Sequence, residues 1–210
     1  MNFLRILTIF LFVAACKKTS SNSQPANHTT SLKITVTDSN GNPLQGAQVK
    51  LFLKESDILT GSNQIGKTAV SDPAGSVLFD SLQAVKYFFL ASNGCQNNLI
   101  TVFPFKCFDS TFNPLTALTE NQAKTAILPT GSIKYINHSG NAYSLTWVEA
   151  AGVPITGGTL IANLSDNDSL FFSYEKIGEY KTKVSQLGGS YNNIRVDTLL
   201  CGQNLVIHLP

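Results

Sequence analysis

The stretch Leu32-Lys-Ile-Thr-Val-Thr-Asp38-Ser-Asn-Gly-Asn-Pro43 decides the fold, because it joins an alternating segment directly to a dense turn. Leu32, Ile34 and Val36 alternate with polar residues, which is the pattern of a half-buried β-strand. Asn40-Gly41 favours the positive φ angles of a tight turn. The sequence therefore predicts a strand that begins at Leu32 and is followed at once by a turn.

Short alternating runs separated by turn residues continue along the rest of the chain. The predicted strands of the first half lie at residues 49–53, 68–71, 76–79, 86–91 and 123–128. Those of the second half lie at residues 132–137, 143–147, 170–174, 180–184, 193–198 and 205–209. Turns are predicted at residues 38–43, 72–75, 138–141, 152–154, 157–158 and 165–168, and residues 54–67 form a polar insert without a helical pattern. Strands at this spacing predict an all-β protein of the β-sandwich type.

Two segments resemble carboxypeptidase regulatory-like domains. Residues 34–49 (Ile-Thr-Val-Thr-Asp … Gly-Asn-Pro-Leu-Gln-Gly-Ala-Gln-Val) resemble the opening of such domains, and residues 72–87 resemble their middle. The resemblance covers residues 32–128 and implies a transthyretin-like, Ig-like Greek-key β-sandwich. Related adhesin repeats carry an isopeptide bond from a core-facing lysine. Lys33 is out of phase with the apolar face of its strand, so we expect no such bond here.

A second, smaller β-sandwich module is predicted at residues 129–210. Trp147 is in phase with Tyr143 and Leu145, so we expect it to pack in the core of this module. The segment Phe88–Leu90 of the first module carries an extra apolar row, which predicts a contact between the two modules. Three further tyrosines are candidates for a shallow ligand surface: Tyr174, Tyr180 and Tyr191.

The N-terminus has the layout of an export signal. Arg5 precedes an apolar run at residues 6–15, which is shorter than the roughly 20 residues needed to span a bilayer. Val13-Ala14-Ala15-Cys16 resembles the lipobox of bacterial lipoproteins, in which the peptidase cuts before a diacylated cysteine. We therefore expect a signal peptide at residues 1–15, lipidation (palmitate included) at Cys16, and a flexible tether at residues 16–31. The alternatives are an ordinary secretory signal or the apolar start of a buried helix.

Three cysteines remain after lipidation, in a compartment where disulfides persist. Cys95 and Cys107 flank one short loop, so we expect them to form a disulfide. Pairing of Cys201 with one of them, or three buried thiols, are the alternatives, because connectivity does not follow from sequence.

The sequence carries little that indicates catalysis. No nucleophile elbow, zinc-protease helix, phosphate loop or dinucleotide fingerprint is present. His28, His138 and His208 lie far apart without metal-ligand spacing, so we expect no metal, no cofactor and no enzymatic activity. The acidic segments at residues 38–42 and 165–168 are interpreted as turns, since neither has the spacing of a calcium loop.

These observations predict a non-catalytic, lipid-anchored binding or structural module of the cell envelope, with a protein or a glycan as partner. The alternative is a carbohydrate-binding accessory lipoprotein of a polysaccharide uptake system, which requires a planar row of exposed aromatic rings. A net charge of +2 without a basic cluster gives no indication of nucleic-acid binding. The expected location is the periplasmic face of the outer membrane, with surface display as the alternative.

Overall fold

The computed structural model describes residues 29–102, 105–107 and 109–210. The signal and lipidation segment, including Cys16, therefore lies outside the described residues. Nearly all described regular structure is β-strand, and the chain folds as a β-sandwich protein, as the sequence predicts. No helix among the described residues is long and apolar enough to cross a membrane.

In the described part of the first half, residues 31–126, there are nine strands and one short helix. These are β1 (Ser31–Thr37), β2 (Gln48–Phe52), α1 (Glu55–Thr60), β3 (Ile65–Val70), β4 (Ser76–Phe79), β5 (Phe88–Asn93), β6 (Gln96–Asn97), β7 (Ile100–Val102), β8 (Phe105–Cys107) and β9 (Glu120–Ala126). One sheet has the order β4-β1-β9, with β1 antiparallel to β4 and parallel to β9. The facing sheet runs β6-β5-β2-β3.

The second half contributes seven strands, most of them longer than those of the first half. These are β10 (Leu128–Ile136), β11 (Tyr143–Ala150), β12 (Val153–Leu164), β13 (Ser169–Lys176), β14 (Gly178–Gln186), β15 (Asn192–Leu199) and β16 (Asn204–His208). One sheet has the order β12-β11-β14-β15, and the other places β10 between β13 and β16. We call residues 32–128 the first module and residues 129–210 the second module.

Each module has its own hydrophobic core. In the first module the alternating residues Leu32, Ile34 and Val36 are fully buried and pack against β2, β4 and β5. In the second module Trp147 is fully buried between its two sheets, which confirms the predicted core position. The burial pattern thus follows the two-residue period of the sequence.

Two predicted loops differ from the structure. The polar insert contains α1, which buries Ile58 and ends at Gly61 with φ of 66°. Its six residues are too few for a helical period to be visible in the sequence. The predicted turn at Gly157 and Gly158 lies inside β12. Both glycines have positive φ angles, and the register between β11 and β12 shifts at this point. The glycines therefore mark irregular pairing within one strand.

Gly75 shows how tightly the turn of residues 72–75 packs. Its φ is +70°, and a Cβ at this position would contact the carbonyl oxygen of Val36 and approach the backbone nitrogen of Leu44 to 2.9 Å. We expect Gly75→Ala to lower the free energy of unfolding by more than about 2 kcal/mol, since backbone atoms must move in addition to the conformational cost.

Gly41→Ala is the matched control for that substitution. Gly41 has φ of +85°, and nothing lies within 4 Å of a Cβ built on it. The loss there should be about 1 kcal/mol, the conformational cost alone. Chemical denaturation of both variants measures the difference, and equal losses would show that the contact at Gly75 relaxes without cost.

Candidate functional site: the junction between the modules

Strand β10 passes from one module into the other. Its first residues, Leu128 and Pro129, pair with β6 of the first module, and from Thr130 onward it pairs with β13. A single sheet therefore continues through both modules in the order β13-β10-β6-β5-β2-β3. The modules are joined by main-chain hydrogen bonds and not by a loose linker.

Thr130 lies at the centre of this junction. Its N–H donates to the carbonyl of Cys95 at 3.0 Å, and its hydroxyl accepts a hydrogen bond from Nδ2 of Asn97 at 2.6 Å. On the other side, its carbonyl accepts from the N–H of Gly202 at 2.9 Å. Thr130 thus connects the β5–β6 turn of the first module to the β15–β16 turn of the second.

A disulfide closes the same junction. Cys95 bonds to Cys201, with a Cα–Cα distance of 5.6 Å and a sequence separation of 106 residues. The predicted Cys95–Cys107 pairing is therefore wrong. The reason is topological: β10 brings the turn after β15 beside Cys95, a proximity that sequence separation does not reveal. Cys107 lies at the end of β8, opposite Ile100 of β7.

Tyr174 carries an aromatic side chain across the junction. Ser173 pairs with Ser132 and Glu175 with Gly131, so Tyr174 is the extra residue of a β-bulge, and its φ is +62°. A left-handed conformation costs a tyrosine on the order of 1 kcal/mol. The bulge places Tyr174 against a small hydrophobic cluster of the first module: Phe52, Ile58, Phe88, Leu90 and Leu99.

This cluster confirms the predicted role of the extra apolar row on β5. Tyr87, Phe89 and Ala91 belong to the core of the first module, whereas Phe88 and Leu90 face the cluster that Tyr174 joins. The row is thus covered by the helix α1 and by the second module.

A shallow cavity of about 400 Å³ opens at the junction. Its walls combine the Cys95–Cys201 turn segments with the outer residues of β10 and β13, including Phe171 and Ser173. Among the described residues that line it there is no carboxylate, lysine, arginine or histidine. The cavity offers hydrogen-bonding and apolar contacts.

The other candidate residues of the sequence are dispersed. His208 is exposed on β16, and His138 contacts Oδ1 of Asn167 through Nδ1 at 3.1 Å. Within the described residues no group of three or more His, Cys, Asp or Glu side chains is arranged to hold a metal ion. His28 lies outside the described residues.

The acidic segments are turns, as predicted. Both backbone N–H groups of Asn40 and Asn42 donate to Oδ1 of Asp38, at 2.8 and 2.9 Å. The side chain of Asn42 also donates to the Asp38 carboxylate. This side-chain hydrogen bond, followed by the backbone ones, lowers the pKa of Asp38. In the second segment Oδ2 of Asp168 accepts from the N–H of Ser165 at 2.9 Å. The carboxylates thus stabilise their own turns.

The tyrosines predicted as a shallow surface do not form one. Tyr180 is buried and donates its hydroxyl to the carbonyl of Lys176 at 2.7 Å, and burial raises its pKa. Tyr191 packs edge-on against Tyr143 with a centroid distance of 6.0 Å, and Tyr174 faces the junction cluster. The two-residue alternation of a strand does not predict how side chains on different segments are oriented relative to one another, and Tyr174 also lies at a bulge.

The fold and the junction define a two-module β-sandwich protein whose modules are fastened by a shared strand and a disulfide. No family model and no curated protein matches the chain. Its solved structural relatives include a streptococcal ancillary pilin, with 16% identity over 88% of this chain and 62% of that one, at a TM-score of 0.39.

Two further pilins are similar at the same level. The major pilin subunit BcpA of Bacillus cereus has 11% identity over 85% of this chain and 69% of that one, at a TM-score of 0.31. The minor pilin GBS52 of Streptococcus agalactiae has 15% identity over 86% and 94%, at a TM-score of 0.30. The chain spans 62% of the length of the streptococcal ancillary pilin.

Proposed function

We propose that this chain is a lipid-anchored protein of the bacterial cell envelope that serves as a non-catalytic spacer or binding module. The observation that carries the proposal is the Cys95–Cys201 disulfide, because such bonds persist in oxidising compartments outside the cytosol. The lipobox-like Val13-Ala14-Ala15-Cys16 supplies the route of export and the site of attachment. Several acyl chains on one residue are sufficient for stable anchoring.

The position of the first strand supports a role close to the membrane. Strand β1 begins at Ser31, fifteen positions after Cys16. A chain of that length reaches at most about 50 Å when fully extended. The first strand would therefore begin within about 50 Å of the bilayer, on the periplasmic face of the outer membrane in our proposal.

The junction supports a spacer or scaffold role over that of an enzyme. The shared sheet, the disulfide and the Tyr174 contact hold both modules in one arrangement. A fixed arrangement suits a protein that presents two surfaces at a defined separation. Its partner in this proposal is another envelope protein, and neither nucleic acid nor a cofactor takes part.

The carbohydrate-binding alternative receives no support from the described side chains. Trp147, the one tryptophan of the chain, is fully buried. Among the described residues, the aromatic rings that are largely exposed are those of Phe112 and Phe171, which lie on different modules. A planar row of stacking rings is thus not found in the described part of the chain.

Fatty-acid labelling tests the proposed anchor. When the full-length gene is expressed in a bacterium fed an alkyne-tagged palmitate, we expect the protein to take up the label. Intact mass should show an acylated chain that begins at Cys16. Cys16→Ser should abolish both the label and the membrane association, since the thiol is the acceptor.

Cys107→Ser is the matched control in this experiment, because it removes a different thiol from the same protein. It should leave the label unchanged. Recovery of an unacylated protein that retains residues 1–15 would overturn the anchor and with it the proposed location.

A further inference from the structure

Strand β15 forms an open edge of the second module. Among the described residues it pairs only with β14, over eight residues and without a register shift. Ile194 and Val196 point away from the core and are 52% and 55% exposed. A regular edge strand with exposed apolar side chains is a template for pairing with another strand.

The opposite edge of the same sheet is protected. Strand β12 contains Pro154 and the positive-φ glycines Gly157 and Gly158, and its register with β11 shifts twice. Proline and bulges are among the features by which edge strands avoid pairing. Of the two edges of this sheet, β15 is the one that is regular and contains neither feature.

The hydrogen-bond pattern fixes which backbone groups of β15 face outward. The N–H of Gln186 donates to the carbonyl of Tyr191, so these two residues form a hydrogen-bonded pair. Such pairs recur at every second residue of an antiparallel ladder, and in β15 they include Arg195 and Asp197, whose backbone groups therefore point toward β14. The backbone groups of the intervening residues, Val196 among them, therefore point to the open edge.

We propose that β15 pairs with β15 of a second copy of this chain, antiparallel and with Val196 on the two-fold axis. An isologous contact of this kind requires a self-complementary strand. With Val196 opposite Val196 of the other copy, each Arg195 lies opposite an Asp197. That position is a non-hydrogen-bonded pair, in which cross-strand side chains come closest.

Charge complementarity selects this register over its neighbours. With the axis on Arg195, two guanidinium groups would lie opposite each other, and with the axis on Asp197, two carboxylates would do so. In the structure of one copy, Nη2 of Arg195 is 3.3 Å from Oδ1 of Asp197, and their side chains are 36% and 15% exposed. Both groups thus lie on the same side of β15, and in the proposed dimer the two Arg195–Asp197 pairs would form a cluster of four charges.

The pairing also covers the exposed apolar residues. On the outer face Val196 meets Val196, and Ile194 meets Thr198 of the other copy. The two sheets of four strands would join into one sheet of eight. Because only one strand per copy takes part, we expect weak and concentration-dependent association.

Sedimentation velocity of the purified full-length protein over a range of concentrations tests the proposal. We expect a monomer–dimer equilibrium. Arg195→Asp and Asp197→Arg should each raise the dissociation constant about tenfold, because like charges then lie opposite each other. The double variant with both substitutions should restore dimerisation, because opposite charges then again face each other across the axis.

Cross-linking through the axis gives an independent measurement. Val196→Cys should form a covalent dimer under mild oxidation, because the two positions face each other across the axis. Leu160→Cys, on the protected edge, is the matched control, since Leu160 is 56% exposed and Val196 is 55% exposed.

Three results would overturn the proposal. They are a monomer at every concentration, a dimer that is indifferent to charge reversal, and equal cross-linking of the two cysteine variants. A dimer whose charge-reversed single variants are weakened and whose double variant is restored supports it, whatever the outcome of the fatty-acid labelling.

Discussion

Replacement of Trp147 by alanine is expected to lower the free energy of unfolding by about 3–5 kcal/mol, the range for removal of a buried aromatic side chain. The indole is fully buried, with ring centroids 4.7 Å from Phe172 and 5.3 Å from Tyr180. Its Nε1 donates to the hydroxyl of Tyr135 at 2.8 Å. Because no other tryptophan is present, unfolding in urea should be followed by circular dichroism.

Two milder variants separate packing from hydrogen bonding. Trp147→Phe keeps an aromatic ring but removes the N–H, and Tyr135→Phe removes the acceptor of that N–H. The Tyr135 hydroxyl also lies 2.7 Å from Oγ1 of Thr182, so its loss affects two buried polar groups. We expect about 1–3 kcal/mol for Tyr135→Phe. A loss below 1 kcal/mol for Trp147→Ala would contradict the assignment of the indole to the core of the second module.

Removal of the disulfide by Cys201→Ser has the second large expected effect. The bond closes a loop across 106 residues of sequence, and chain entropy gives about 4–5 kcal/mol for a loop of this length. Measured values of removed native disulfides fall at about 2–5 kcal/mol. Urea denaturation of the oxidised wild type and the variant measures the loss.

Cys95→Ser should give the same loss, because both substitutions remove one bond. Cys107→Ser tests the connectivity: non-reducing peptide mapping of that variant should still yield a peptide pair that joins Cys95 to Cys201. A stable Cys95–Cys107 pair in the wild type, or an unchanged midpoint for Cys201→Ser, would show that the junction is fastened differently.

The sequence predicts the strands well because the chain is mostly alternating. In β1 the alternate residues Leu32, Ile34 and Val36 are buried, as a two-residue period requires. Trp147 follows the same rule in β11. The short helix α1 and the continuous strand β12 were not predicted. The first lacks enough residues for a period, and the second contains glycines that normally mark turns.

The junction was only partly predictable. The apolar row of Phe88 and Leu90 indicated a contact between modules, but not its partner Tyr174, whose direction depends on a bulge in β13. The disulfide partner of Cys95 depends on the passage of β10 from one sheet into another. Such long-range proximity is a property of topology, and local sequence patterns do not encode it.

The connectivity of the disulfide has a consequence for biogenesis. If the chain is exported from its N-terminus, as proposed, Cys95 and Cys107 reach the oxidising side before Cys201, which follows Cys95 by 106 residues. A transient bond between the two early thiols is therefore the first one available. Attack of the Cys201 thiolate on the Cys95 sulfur of that bond would form the Cys95–Cys201 disulfide and release Cys107 as a thiolate, a reshuffling that takes seconds to hours. A thiol–disulfide exchange catalyst in the compartment where the modules fold would accelerate this step.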